Sequence, residues 1–156
     1  MEINKINNLL ELFYKQYQKQ DKESIFLQSL KEPQKKYSWR DVYLNINKLS
    51  EEISKYIKKG DRCLLVSENR PEWMISDFSI MLSGGVTVPA YTTYTERDYE
   101  YIINDCKPTI LIISNKTQYE KIKDIVPKKD FIKKIIFFEN IEDVNEEVNL
   151  KIHDIF

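Results

Sequence analysis

The chain has 156 residues, 42% of them apolar, with only five Pro and three Gly, so it is long enough to bury a core and is neither a linker nor a disordered polypeptide. Charged residues make up 31% but nearly cancel at a net charge of −1, which excludes the one-sided basic field that nucleic-acid binding requires. The pairs Lys35-Lys36, Lys58-Lys59, Lys128-Lys129 and Lys133-Lys134 are interleaved with Asp and Glu and read as solvated surface.

In chain order, Ile3, Ile6, Leu10, Phe13 and Tyr17 recur at three- and four-residue steps and predict an opening helix. Its acidic and polar residues exclude a signal peptide. Ser24 to Leu30 reads as a short strand, and Lys31-Glu32-Pro33-Gln34 turns the chain into a second near Lys36-Tyr37. Ser38 with Asp41 three places later predicts a capping box. From there Val42, Ile46, Leu49, Ile53, Tyr56 and Ile57 stripe a helix up to Gly60, at the place of a left-handed C-cap.

Strand and helix then alternate. Cys63 to Val66 is apolar throughout, Pro71 opens a helix that closes at Gly84-Gly85, and Val86 to Pro89 forms the next strand. Gly84-Gly85 is expected to be structural, with positive φ at one of the two. Thr95 and Asp98 start a helix carrying Tyr99, Ile102, Ile103 and Cys106 inward, ended by Pro108. Ile110 to Ile113 is a third strand, Tyr119, Ile122 and Ile125 stripe a helix stopped by Pro127, and Ile135 to Phe138 is a fourth strand. Strands apolar on both faces and separated by amphipathic helices predict a doubly wound, mostly parallel α/β sheet, with the N-terminal helix and hairpin packed against it. The segment 139–156 is acidic, and Val144, Val148, Ile152 and Ile155 give it a weak helical stripe. Nothing in the pattern closes the sheet after Phe138, so the segment reads as the tail of an interrupted chain. There is no internal repeat, and no apolar run approaches the roughly 20 residues of a membrane span.

Phosphate-gripping loops need several glycines, so that backbone N–H groups can reach the oxygens. The three here, Gly60, Gly84 and Gly85, form neither GxGxxG nor GxxxxGK[ST]. Ser67-Glu68-Asn69-Arg70 lacks the glycine of a flavin-mononucleotide loop. The later strand ends, Val88-Pro89-Ala90 and Ile113-Ser114-Asn115, lack the Asp of a phosphorelay receiver. The one histidine, His153, sits in the tail, away from any rigid frame for a catalytic triad. Cys63 and Cys106 have no partner at metal spacing; they read as small buried hydrophobes and fit a reducing cytoplasm. Glu68 and Asp77 are too far apart along the chain for an acid–base pair, and Glu68 beside Arg70 reads as a charged loop setting the start of a helix. Trp39 and Trp73, in the first turns of two helices, read as core. The candidate pocket is Tyr91-Thr92-Thr93-Tyr94-Thr95, where hydroxyls and rings follow a parallel strand at its carboxyl end, with Tyr91, Thr92 and Thr93 its substrate-facing candidates; the alternative is that Thr95 caps a helix while the tyrosines cover the sheet edge.

Three stretches carry a family resemblance: LLELFYKQYQKQDKESIFLQSL, the block from YSWRDVYLNINKLSEEI through GDRCLLVSENRPEW to GGVTVPAYTTYT, and TERDYEYIINDCKPTILIISN. Together they resemble the N-terminal part of AMP-forming adenylate-forming enzymes, most of all the long-chain fatty acyl-CoA ligases, over residues 5 to 140. The resemblance implies an enzyme that activates a carboxylate with Mg·ATP to acyl-AMP and passes the acyl group to coenzyme A. In that family a Ser/Thr/Gly-rich loop with a Lys, an acidic metal-binding position and a Lys on a mobile C-terminal domain do the work. All lie downstream of the matched region, so no catalytic residue carries over. Residues 1–156 are thus expected to be the front of such a domain, structurally punctuated by Gly60, Pro71, Gly84 and Gly85 and binding no cofactor or metal alone. Its partners would be the rest of the ligase chain, with fatty acid, ATP, Mg2+ and coenzyme A in the complete enzyme. A cytoplasmic location follows, with peripheral membrane association left open. Two classes of function remain: a catalytic ligase's N-terminal piece, or a short binding or regulatory module that kept the fold.

Overall fold

The computed structural model of the chain describes residues 6–141 and 149–151. Helix α1 (Leu9–Lys19) begins where the Asn8 side chain accepts the Glu11 N–H at 2.8 Å. Phe13 is its buried anchor; Ile6 precedes the helix and Ile3 lies outside the described residues. Strands β1 (Ile25–Gln28) and β2 (Lys36–Ser38) pair antiparallel as the predicted hairpin. Helix α2 (Trp39–Ser54) starts on the expected capping box: Ser38 Oγ accepts the Asp41 N–H and Asp41 Oδ2 accepts the Ser38 N–H. It ends earlier than the stripe suggests. Gly60 is no helix cap; six residues beyond Ser54, at φ +88°, it turns the chain and donates its N–H to the Gly84 carbonyl at 2.8 Å.

Strand β3 (Arg62–Val66), helix α3 (Pro71–Leu82), strand β4 (Val86–Ala90), helix α4 (Glu96–Cys106), strand β5 (Ile110–Ile113) and strand β6 (Lys134–Phe137) follow in the predicted alternation. Thr95 and Asp98 form the second capping box. The helix expected before Pro127 is shorter: α5 (Lys116–Glu120) has five residues, and turns plus a 3-10 turn at Val126–Lys128 complete the connection. Ile122 and Ile125 are buried all the same, because successive tight turns keep the three-residue spacing that a helix would have given.

With a further strand, β7 (Asn149–Lys151), the five-stranded sheet has the order β4-β3-β5-β6-β7, every pair parallel. Its last member, β7, corrects two expectations. The acidic tail contributes a strand where a helical stripe was read, and the sheet does continue past β6. A strand there satisfies backbone groups that β6 would otherwise expose. Val144, Val148, Ile152, His153 and Ile155 lie outside the described residues. At the opposite edge, Val86 donates its N–H inward to the Asp61 carbonyl, so alternation turns the nitrogen of Pro89 outward, where a missing N–H costs no ladder bond.

Each sheet face has its own core. Cys63, Leu65, Ile110, Ile112 and Ile136 pack under α1, α2 and α3, with Trp39 stacked on Phe26 at 3.9 Å. Leu64, Val66, Leu111, Ile113 and Phe137 pack under α4 and the α5 segment through Tyr99, Ile103, Ile122 and Ile125. Full burial of such a side chain contributes about 1.5–3 kcal/mol, so the sheet's two faces dominate stability. Cys63 is fully buried, and burial pushes its thiol up to about 12, whereas Cys106 is half-buried. Lys134 departs from the solvated-surface reading: at 9% exposure it is buried in β6, with its ammonium 5.6 Å over the Tyr56 ring.

Helix α3 is held at its start by charge. Glu72, 2% exposed, accepts Arg70 Nε at 2.9 Å and Tyr37 Oη at 3.0 Å and pairs with Lys35, while Arg70 Nη1 reaches Glu139 at 2.9 Å. Burial pushes the Glu72 carboxyl up, but the donors from Arg70 and Lys35 outweigh it and hold it at about 2. The same burial, with the Glu72 charge second, pushes the Tyr37 hydroxyl upward. Hairpin, α3 and the segment after β6 are thereby tied at one point.

Gly84 sits at φ +82°, whereas a Cβ on Gly85 would come within 2.9 Å of Ile57 Cδ1 and 3.3 Å of the Ile80 carbonyl oxygen. Gly84→Val and Gly85→Val should each lower stability by about 1–3 kcal/mol in denaturant unfolding, the first by backbone strain and the second by overpacking. Gly84→Asn should recover most of the loss and Gly85→Asn should not, since Asn tolerates the left-handed region but still carries a Cβ. Parent-like unfolding of both Val variants would contradict this account of the turn.

The depressed carboxyl of Glu72 adds stability that is complete above its ordinary value of 4.5 and drains away as pH falls toward about 2. Urea unfolding of the parent and of Glu72→Gln should therefore differ in acid slope within that window and run parallel above it. Arg70→Ala should cost about 1–3 kcal/mol at neutral pH, less than a fully orphaned buried charge, because Lys35 and Tyr37 still serve Glu72.

Candidate functional site

All strands of the main sheet are parallel, so their carboxyl ends and following loops share one edge. The loop after β3 leads to α3 on one face, whereas the loops after β4 and β5 lead to α4 and α5 on the other. That divergence opens a crevice on each side of Glu68 and Asn69, the position at which open α/β sheets receive ligands. The first cleft, of about 490 Å³, lies between the β3 and β4 loops and is lined by Ser67, Glu68, Asn69, Trp73, Pro89, Ala90, Tyr91 and Thr92. The second, about 240 Å³, lies between the β3 and β5 loops. Asn115, Arg70 and Glu139 line it together with the hairpin turn at Ser29, Leu30, Lys31 and Glu32.

Glu68 borders both. It accepts Asn115 Nδ2 at 3.1 Å, and the Asn115 Oδ1 in turn accepts the Gln118 N–H that starts α5. Burial pushes the Glu68 carboxyl up, but its own backbone N–H and the side chains of Ser114 and Asn115 favour the anion, and the balance lies below the ordinary value. Ser67 Oγ is spent on the Glu68 carbonyl at 2.8 Å. The first cleft thus presents a fixed carboxylate, an amide, two hydroxyls and two aromatic rings over an apolar floor. The lining combines hydrogen-bonding groups with apolar surface.

Of the pocket candidates, Tyr91 and Thr92 line the first cleft, Tyr91 at 72% exposure, while Thr93 is exposed and outside the lining. Thr95 caps α4, as its spacing to Asp98 predicts. Trp73 does more than the core role read from its sequence: it packs on the core with one side and lines the cleft with the other. Asp77 is not part of the lining, in keeping with its separation from Glu68. Residues the sequence did not single out are Glu72, Asn115 and Lys121, whose ammonium reaches the Thr92 carbonyl at 2.6 Å. Glu72 carries a weak signal, an acid between Pro71 and Trp73 in the first turn of a mostly apolar helix. Among the described residues no cluster of His, Cys, Asp and Glu could hold a metal, and no helix is long and apolar enough to cross a membrane.

Comparison with known proteins agrees with this geometry. Over 130 residues the chain is 23% identical to the long-chain-fatty-acid–CoA ligase ACSBG1 of Rattus norvegicus, covering 83% of this chain and 18% of that protein. It is 33% identical over 78 residues to the long-chain-fatty-acid–CoA ligase FadD15 of Mycobacterium tuberculosis, covering 48% of this chain and 13% of that one. The chain therefore spans less than a fifth of the length of these relatives. Among solved structures, the anthranilate CoA ligase AuaEII in complex with anthranoyl-AMP superimposes with a TM-score of 0.81 at 19% identity, over 99% of this chain and 29% of that one. Coronafacic acid ligase from Pectobacterium brasiliense gives 0.79 at 16% identity, over 92% and 28%. The fold is thus that of the N-terminal subdomain of acyl-CoA ligases. The family model for AMP-binding enzymes matches residues 13–153, nearly the whole chain, and the chain belongs to that family.

Proposed function

We propose that this chain forms the N-terminal part of a ligase that activates a long-chain fatty acid with ATP to acyl-AMP and passes the acyl group to coenzyme A. The observation that carries the reading is the first cleft. Its two walls, Ser67–Trp73 and Pro89–Thr92, are the SENRPEW and VPAYT segments through which the chain resembles long-chain ligases. The names of the curated relatives point the same way.

The lining of this cleft, one carboxylate and no cation, does not suit a triphosphate or its Mg2+. Displacement at phosphorus depends on positioning and charge neutralisation, and the groups for it belong to parts of the ligase outside these residues. What this chain supplies is a rigid sheet edge against which those parts dock, with the cleft as one wall of the substrate site. Acting alone, it is inactive.

Two measurements test this. The 156-residue chain should show fatty-acid-dependent ATP–pyrophosphate exchange no higher than the blank, and titration with Mg·ATP should give a Kd weaker than about 1 mM. The coding sequence read past codon 156 should continue into a Ser/Thr/Gly-rich loop with one Lys, and the continuous product should exchange pyrophosphate with palmitate. Exchange driven by an aryl acid and not by palmitate would overturn the fatty-acid assignment. A stop codon directly after Phe156 would overturn the ligase reading in favour of a non-catalytic binding module.

A further inference from the structure

The outer wall of the first cleft is a turn, and turns at sheet edges are mobile unless something holds their backbone. Here two side chains from separate elements do so. Tyr99, fully buried on α4, donates its hydroxyl to the Tyr91 carbonyl at 2.8 Å, an oxygen that also accepts the Tyr94 N–H at 3.2 Å. Lys121, just past α5, donates its ammonium to the next carbonyl, that of Thr92, at 2.6 Å. Among the described residues this ammonium meets no carboxylate; its other neighbour is the Tyr99 ring, 6.0 Å away. A lysine spent on a backbone oxygen is a charge-assisted bond, stronger than a neutral one and directed at one atom.

Aromatic packing supports the same point. Tyr91 meets Tyr94 edge-on at 5.5 Å, and Tyr94 meets Tyr99 edge-on at 6.0 Å, so the turn's rings lean on the residue whose hydroxyl holds its backbone. The hydroxyl has one proton, and the shorter bond to Tyr91 takes it. The Gln118 side-chain oxygen, 3.3 Å from the same hydroxyl, is then a contact without a shared proton.

We propose that Tyr99 and Lys121 are positioning residues that clamp consecutive carbonyls of the Tyr91–Thr92 turn and so set the width of the first cleft where a substrate enters it. The clamp itself is a property of this chain; its effect on substrate rests on the ligase reading above. Neither residue lines the cleft.

Two arms of one experiment separate the two claims. In the 156-residue chain, Lys121→Met and Tyr99→Phe keep the stem and the ring, so the melting temperature should hold within a few degrees. Hydrogen exchange at the Tyr94 amide should quicken about ten-fold or more, with helix α2 amides unchanged. In the continuous ligase, Lys121→Met should raise KM about ten-fold for one among carboxylate, ATP and coenzyme A while kcat stays within about two-fold, and Lys121→Arg should restore it. Unchanged exchange at Tyr94 in both variants overturns the clamp whether or not the ligase reading stands. Faster exchange with all three KM values unmoved in an active ligase overturns the link from clamp to substrate. A parent ligase with no activity on fatty acids counts against the proposed function and leaves the exchange result to decide the clamp.

Discussion

A parallel sheet cannot be closed by tight turns, because each new strand must start at the end where the last one began. Strands β4, β5 and β6 are therefore each reached by a crossover that needs an apolar face to lie on, and the faces of β3, β5 and β6 supply it. Strand β3 sits between β4 and β5, with Cys63 to Val66 at 0% exposure, and each core cluster takes alternate residues from it. The same constraint sends every carboxyl end to one edge. Both clefts follow from that placement, and the hairpin turn completes the second.

Polar groups gathered at a buried edge must satisfy each other, and the two sides of the edge do this differently. Around Arg70, the buried Glu72 recruits Lys35 and Tyr37 while the guanidinium spans to Glu139. A buried ion pair of this kind contributes little net stability against its desolvation, but it joins three segments that are distant in sequence. The Phe138 ring, 5.5 Å from the same guanidinium, adds an apolar shelf beneath it. Around Tyr91 and Thr92 the acceptors are backbone carbonyls, so the turn is held by its main chain and its side chains stay free to face the cleft. One wall is braced by ion pairs and the other by its backbone.

Much of this was legible in the residues. The 110–113 strand matched to the residue because four aliphatics between Pro108 and Ser114 leave it no other reading. Both capping boxes were visible because a cap is a contact across three residues. Where the reading slipped, local spacing was compatible with more than one backbone. Ile122 and Ile125 are buried as expected, yet on turns, since a three-residue step serves a series of turns as well as a helix. The triplet Asn149–Lys151, with one apolar residue, is too short for alternation to announce a strand, and β6 offers it an edge to pair with. Lys133-Lys134 was read as solvated surface from its place at an element end, but β6 begins at Lys134 and is buried along its length, whereas Lys133 precedes it and is exposed.

Periodicity, caps and the glycine stop at Gly84-Gly85 act within a few residues, so the sequence by itself determined the element types from α1 to β6 apart from the turns after α5, and the parallel alternation; the family came from the resemblance of its motifs. The strand order, the burial of Glu72 and the company kept by each candidate site residue depend on contacts between segments far apart in the chain. Arg70 meets Glu139 across 69 positions and Asn115 meets Glu68 across 47. No local pattern encodes such a meeting. Tertiary structure alone decided that Tyr91 and Thr92 face Glu68 across a cleft while Thr93 does not, because which side of a turn looks inward depends on what grips its carbonyls from behind.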